Sequence, residues 1–249
     1  MSLDVAERII VALDCDGALA RSLARQLCGE ALWLKVGMTL YYAEGPRIVR
    51  ELKELGFKVF VDLKLHDIPH QVRGAAQTIT EAGADMITVH SSGGAEMLRA
   101  AVDGAGYGFQ KLSKREKNAL RPVLLGITVL TSIDQQTLHS IGIDQDTATQ
   151  VQRLAQLAMN VGLDGVVASP LEAGSLRSSL GQSAIIVTPG IRPAIQVESV
   201  ESKKTDDQSR ISTPRAALSA GASFLVIGRP ITSAEDPLSA FRDIVRSID

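Results

Sequence analysis

Asp62, Lys64 and Asp67 stand at the spacing D-x-K-x-x-D, a carboxylate, an ammonium and a second carboxylate in close succession. Asp14 closes the first apolar run of the chain, and Lys35 lies within the second. Buried charges are costly unless they pair and keep some water. Any single pair of this kind is ordinarily an ion pair that closes a fold. Four charges converging on one end of a scaffold, Asp14, Lys35, Asp62 and Lys64, instead suit a catalytic site. A nucleophilic, Schiff-base lysine fits poorly, because such a group needs its pKa lowered and carboxylates work against that. His66 and His90 also lie near strand ends, but two imidazoles are a thin ligand set, and scaffold hydrogen bonding is the plainer reading.

A second cluster suits phosphate. One run closes with Thr188-Pro189-Gly190-Ile191-Arg192-Pro193 and the last with Ile227-Gly228-Arg229-Pro230-Ile231-Thr232. Gly228 permits close backbone approach, and Arg229 offers a charged fork that matches phosphate oxygens. Arg192 is a second candidate cation. The ligand expected from these residues is a phosphorylated metabolite.

Eight short apolar runs are available to position these groups, at 8–14, 32–37, 58–65, 86–91, 123–130, 165–169, 184–190 and 224–230. Segments with helical periodicity separate most of them, among them 18–27, 46–55, 71–82, 148–161 and 214–220. Gly56, Gly83, Gly162 and Gly221 sit just past helix ends, where a left-handed cap is wanted. Strands alternating with helices imply parallel pairing. Eight such units predict an α/β fold of (β/α)8 TIM-barrel type, one catalytic domain over residues 1–249. The rival, a doubly wound sheet, normally carries a Gly-rich fingerprint after its first strand. Asp14-Cys15-Asp16-Gly17 is no such fingerprint.

The period-2 rule then assigns faces. In the third run Phe60, Asp62 and Lys64 share one side, and Val61, Leu63 and Leu65 the other. The wholly apolar side must face the covering helices, so Asp62 and Lys64 point into the barrel near its mouth. The same rule turns Ile10, Ala12 and Asp14 inward, and Trp33 and Lys35. Two charged stretches, 103–121 and 197–210, lack apolar periodicity. The first reads as a solvated loop; the second follows the seventh strand on the catalytic face and reads as a lid.

A net charge of −2 leaves no footprint for nucleic acid or an acidic membrane. No apolar stretch approaches the ~20 residues that span a bilayer. The polar start is not a signal peptide, and Cys15 and Cys28 form no disulfide framework. A cytoplasmic location is expected.

Taken in order, VALD (11–14), LKVG (34–37), DLKLHDIP (62–69), VHSSGG (89–94), TVLTS (128–132), GLDGVVAS (162–169), VTPGIRP (187–193) and VIGRPIT (226–232) resemble the orotidine 5′-phosphate decarboxylase family of bacterial type. They cover nearly the whole chain. The resemblance implies a cofactor-free decarboxylation of orotidine 5′-monophosphate to UMP, the last step of de novo pyrimidine synthesis. Lys35, Asp62, Lys64 and Asp67 would form an alternating charge array, with no metal. Lys64 would protonate C6 as carbon dioxide leaves, and Asp62 would lie beside the departing carboxylate. Asp67 would cross to the partner's site in an obligate homodimer. Asp14 and Lys35 would hold ribose hydroxyls, and Thr131 and Ser132 ribose and pyrimidine. Gln208, Gly228 and Arg229 would bind phosphate, with Arg192 close by, and Ile68 would join the substrate contacts. Where the family often reads Asn-Thr after Asp-Ile-Pro, this chain has His70-Gln71, so the Gln71 amide would have to replace a threonine hydroxyl. Related barrels that share D-x-K-x-x-D act on sugar phosphates with a divalent metal, which is the alternative activity. A phosphate-binding barrel without turnover is the non-enzymatic one.

Overall fold

A computed structural model describes residues 4–193 and 211–248. The expected lid, 197–210, and its Gln208 lie outside the described residues. Eight parallel strands form a closed barrel in chain order. They are β1 (Ile9–Leu13), β2 (Trp33–Gly37), β3 (Lys58–Leu65), β4 (Met86–His90), β5 (Val123–Ile127), β6 (Gly165–Val167), β7 (Ile185–Thr188) and β8 (Phe224–Ile227). Around them lie α1 (Gly17–Leu27), α2 (Met38–Glu44), α3 (Arg47–Glu54), α4 (Pro69–Glu81), α5 (Gly94–Arg115) and α6 (Gln135–Ser140). The series continues with α7 (Thr147–Asn160), α8 (Ala173–Leu180), α9 (Pro214–Ser219), α10 (Arg229–Thr232) and α11 (Pro237–Ile248).

Strand alternation divides the apolar residues into two cores. Ile10, Ala12, Trp33, Phe60, Met86 and Leu125 belong to the set that fills the barrel. Val11, Leu34, Val59, Val61, Leu63 and Ile87, from the other strand faces, pack with the helices in the outer core. Burial of both faces explains why the runs are nearly continuous in apolar residues. Inside, Trp33 meets Phe224 edge-on at 5.6 Å between ring centroids, and the Lys58 ammonium lies 5.4 Å from the Trp33 ring. This plug sits at the amino-terminal end of the strands, opposite the site.

The amino-terminal rim carries a motif used three times. Gly83-Ala84-Asp85, Gly162-Leu163-Asp164 and Gly221-Ala222-Ser223 precede β4, β6 and β8. Each glycine has positive φ, at 97°, 93° and 108°, as expected for the residue that ends a helix. Each third residue latches the preceding odd strand by accepting a backbone N–H with its side chain. Val59 donates to Asp85 at 2.7 Å, Leu124 to Asp164 at 2.8 Å and Ile186 to Ser223 at 3.1 Å. The same three residues return their own N–H groups to the carbonyls of Val59, Leu124 and Ile186. No repeat was evident in the sequence, because the motif is only three residues long and one copy replaces Asp with Ser.

Segment 103–121, expected as a solvated loop, is instead helical to Arg115 as part of α5. The buried face of α5 here is built from Ala101, Gly104, Ala105, Gly108 and Leu112, all but the last small residues that give little hydropathy signal. Their smallness is what packing on α4 requires. A Cβ at Gly104 would collide with the carbonyl oxygen of Arg73, and one at Gly108 would lie 2.5 Å from that of Gln77. Around Gly106, on the same helix, the space for a Cβ is open. Gly104→Ala is therefore expected to destabilise the protein by about 1–3 kcal/mol through overpacking. Gly106→Ala is expected to be neutral or stabilising by up to about 1 kcal/mol. Urea unfolding of both variants checks this, and equal effects would refute the close α4–α5 approach.

Candidate active site

The first four strands supply the polar groups at the carboxyl-terminal mouth: Asp14 just past β1, Lys35 on β2, Asp62 and Lys64 on β3 and Thr88 on β4. Strand register puts Ala12 beside Lys35, Lys35 beside Phe60, and Gly37 beside Asp62. Lys35, 7% exposed, therefore rises from the Phe60 level into the space above Gly37. Its Nζ donates to Asp14 Oδ1 at 2.8 Å and lies 3.6 Å from Asp62 Oδ2. Lys64 Nζ donates to the same Asp62 Oδ2 at 2.9 Å. The result is an unbroken alternation Asp14–Lys35–Asp62–Lys64. Gly37 is part of its design, since a Cβ there would sit 3.0 Å from Asp14 Oδ1 and 3.2 Å from Lys35 Nζ.

Burial opposes both inner charges, and their partners overcome it. Burial alone would lower the pKa of Lys35, but Asp62 and Asp14 together raise it above the ordinary lysine value. Burial would likewise raise Asp62, yet Lys35, Lys64 and the Thr88 hydroxyl bring it below the ordinary aspartate value. Both groups are thus held charged.

β3 departs from regular pairing at this point. Between Val61 and Leu65 it advances four residues while β4 advances two, from Ile87 to Val89. Lys64 has φ 52°, and among the described residues no other non-glycine has positive φ. Thr88, wholly buried, donates to Asp62 Oδ1 at 3.0 Å and accepts the Lys64 N–H at 2.9 Å. Thr88 is a site residue that reading the third strand alone misses. Its signal was present, since alternation puts it on the inward side of β4 with Met86.

A cavity of about 810 Å³ opens above these groups. Asp14, Lys35, Asp62 and Lys64 line it, with Thr131 and Ser132 beyond β5. Arg192 beyond β7, and Gly228 and Arg229 beyond β8, join the lining; β8 pairs with β1, which brings Gly228 close to Asp14. Among the described residues, the charged lining of the cavity comprises the cations Lys35, Lys64, Arg192 and Arg229 and the carboxylates Asp14 and Asp62. Arg192 is only 8% exposed and its Nη1 donates to the Ile191 carbonyl at 3.0 Å. Its backbone is pinned by reciprocal bonds, Arg192 N–H to the Ser212 carbonyl and Ser212 N–H to that of Gly190. Arg229 is exposed and opens α10, whose first turn folds back on the Gly228 carbonyl.

Three expected site residues are not part of this wall. Asp67, Ile68 and Gln71 are exposed and do not line the chain's own cavity. Asp67 Oδ1 accepts the Ile68 N–H at 2.6 Å, and no ion pair joins it to Lys64. Beside the array, the rings of His66 and His90 lie 5.1 Å apart at 32°. Among the described residues no three His, Cys, Asp or Glu side chains group as a metal site.

A closed (β/α)8 barrel with a charged cavity at the carboxyl ends of its strands is the architecture of barrel enzymes. A family model described as Orotidine 5'-phosphate decarboxylase / HUMPS family matches residues 7–244, and the chain belongs to that family. A relative from Moorella thermoacetica, named orotidine 5'-phosphate decarboxylase, is 45% identical over 98% of this chain and 92% of its own. One of the same name from Idiomarina loihiensis is 44% identical over 97% of each. The crystal structure of orotidine 5'-phosphate decarboxylase from Lactobacillus acidophilus superposes with a TM-score of 0.83 at 35% identity, covering 98% of this chain and 99% of that one.

His90 provides a pH test of this geometry. Burial, His66 and the Lys64 ammonium together push its pKa from 6.5 down to about 4. A depressed pKa means that the unfolded chain takes up the proton first. Stability from neutral His90 is complete above pH 6.5 and is lost progressively as pH falls toward about 4. The Asp62 contribution, with its pKa below 3.8, is lost only at lower pH. Thermal melts should show Tm falling from pH 6.5 toward 4.5, and His90→Gln should flatten that slope. An unchanged slope in the variant would refute the assignment.

Proposed function

We propose that this chain decarboxylates orotidine 5′-monophosphate to UMP without metal or organic cofactor, through the buried Asp14–Lys35–Asp62–Lys64 alternation. Family membership and near full-length identity to proteins named for that reaction make it a carboxy-lyase of pyrimidine biosynthesis. The observation that carries the finer reading is the fixed ammonium of Lys64, 2.9 Å from Asp62 inside the mouth.

Breaking the bond between C6 and the carboxylate leaves its electron pair on C6, where the pyrimidine offers no conjugated sink. Stabilisation must then come from charge already in place. Lys64 supplies it and transfers a proton to C6, so carbon dioxide leaves, UMP forms, and the lysine recovers its proton from solvent. Asp62 sits beside the departing carboxylate and holds Lys64 and Lys35 on one oxygen. Asp14 and Lys35 hold the ribose hydroxyls, and Thr131 and Ser132 contact ribose and pyrimidine. Arg229, Gly228 and Arg192 receive the phosphate; Gln208, outside the described residues, joins them.

In the same proposal the enzyme is an obligate homodimer, and Asp67, with Ile68 and Gln71, completes the partner's site. Two features support this: Asp67 is not among the residues lining its own cavity, and Ile68 beside it is 64% exposed.

An ultraviolet assay of orotidine 5′-monophosphate consumption should show turnover by wild type, undiminished in EDTA. Lys64→Ala should lose at least about a thousandfold in kcat, the scale of proton transfer and charge stabilisation combined. Equal rates would overturn the role of Lys64, and metal-dependent turnover the cofactor-free reading. Mixing inactive Lys64→Ala with inactive Asp67→Ala should restore activity in heterodimers that carry one intact site. No recovery with subunit exchange demonstrated would refute sharing.

A further inference from the structure

We propose that Thr88 is a positioning residue of this reaction, holding Lys64 through its backbone and Asp62 through its carboxylate at once. The inference rests on the decarboxylase reading above. It starts from the backbone of β3. A lysine with positive φ costs about 1–3 kcal/mol and persists only where its surroundings impose it. The unequal advance of β3 and β4 between Val61 and Leu65 breaks the regular ladder there. That irregularity turns the Lys64 N–H onto a side chain, Thr88 Oγ1 at 2.9 Å, rather than onto the β4 backbone.

A hydroxyl has one proton, and here its use is dictated. Asp62 Oδ1, a carboxylate oxygen 3.0 Å away, can only accept, so Thr88 must donate to it. The Lys64 N–H can only donate, so it must take a lone pair of the same oxygen. Asp62 Oδ2 in turn accepts the Lys64 ammonium at 2.9 Å, which closes a ring from the Lys64 backbone through Thr88 and Asp62 to its own side chain. Both ends of Lys64 are thereby referred to one carboxylate. Thr88 is wholly buried with its polar atom fully committed, and it does not line the cavity. It touches no substrate and acts only through Lys64 and Asp62.

The expected consequence is on turnover rather than on binding. Thr88→Val keeps the shape and removes the hydroxyl, leaving the Lys64 N–H unpartnered and Asp62 Oδ1 without its donor. Displacing a reacting group by about an ångström costs on the order of a hundredfold, so kcat should fall by about tenfold to a hundredfold. KM and the affinity for UMP should stay within about threefold, because phosphate and ribose contacts are untouched. Thr88→Ser, which keeps the hydroxyl, should restore kcat to within about threefold of wild type. A purely packing role predicts the reverse order, with Val tolerated and Ser impaired. Thr88→Val at wild-type kcat, or Thr88→Ser as impaired as Thr88→Val, would overturn the proposal. Should the valine variant not fold, Thr88→Ala takes its place against Ser, judged by the same split. Failure of wild type itself to consume the substrate would instead refute the decarboxylase reading.

Discussion

The carboxylate of Asp62 is the constraint around which the barrel mouth is arranged. It is almost inaccessible to water, and a lone charge there would be untenable. Two ammonium groups on Oδ2 and a hydroxyl on Oδ1 make it stable in the charged form. Removing one member of such a buried set costs about 3–5 kcal/mol, because the partner is stranded. The demand propagates outward through four adjacent strands. Lys35 can reach Asp62 only because position 37 carries no side chain, and Lys64 can turn back onto it only because β3 gains residues on β4. Thr88 occupies the gap that this irregularity opens.

The two ends of the barrel solve the polar problem differently. At the amino-terminal rim, Asp85, Asp164 and Ser223 spend their side chains on backbone N–H groups of the preceding strand. Asp85 is further neutralised by Lys53 at 2.7 Å, and Asp164 by Arg121. Every such bond fixes where a strand begins. At the mouth, by contrast, the charges pair chiefly with one another, and their free faces turn to a cavity. Charge held in place by other charge, with no backbone reorganisation needed, is the condition for electrostatic preorganisation. Stability at one end and chemistry at the other is the division expected of this fold.

Much of this was legible in the sequence because parallel barrels bury both strand faces. The run at 58–65 coincides with β3, and its period-2 pattern correctly turned Asp62 and Lys64 inward. Legibility failed where the signal depends on two elements at once. The β3–β4 irregularity is a difference in register, invisible in either strand by itself. The helical part of segment 103–121 failed for another reason: its buried face carries Gly104 and Gly108, which allow close approach to α4 but supply neither hydropathy nor helix propensity, with only Ala105 and Leu112 beside them. The reaction was never in the pattern of charges. Periodicity could bring four charges to one mouth, but resemblance was needed to say which molecule they meet.

The chain's net charge of −2 does not decide what an anionic ligand meets, because Lys35, Lys64, Arg192 and Arg229 are all gathered at the cavity. Screening over about 8 Å in physiological salt makes the local balance the one a ligand meets. These cations are unevenly placed. Asp14, Lys35, Asp62 and Lys64 balance one another in charge, whereas Arg192 and Arg229 follow β7 and β8. On the proposed assignment, recognition of the phosphate is therefore separated from the neutral quartet that does the chemistry. Binding energy gained at the arginines can then hold a substrate carboxylate beside Asp62, a placement that the quartet alone would resist. An arginine in place of Lys64 would keep the attraction but forfeit the proton, since a guanidinium does not release one near neutral pH. The lysine is required at the reacting end, and arginine serves at the binding end.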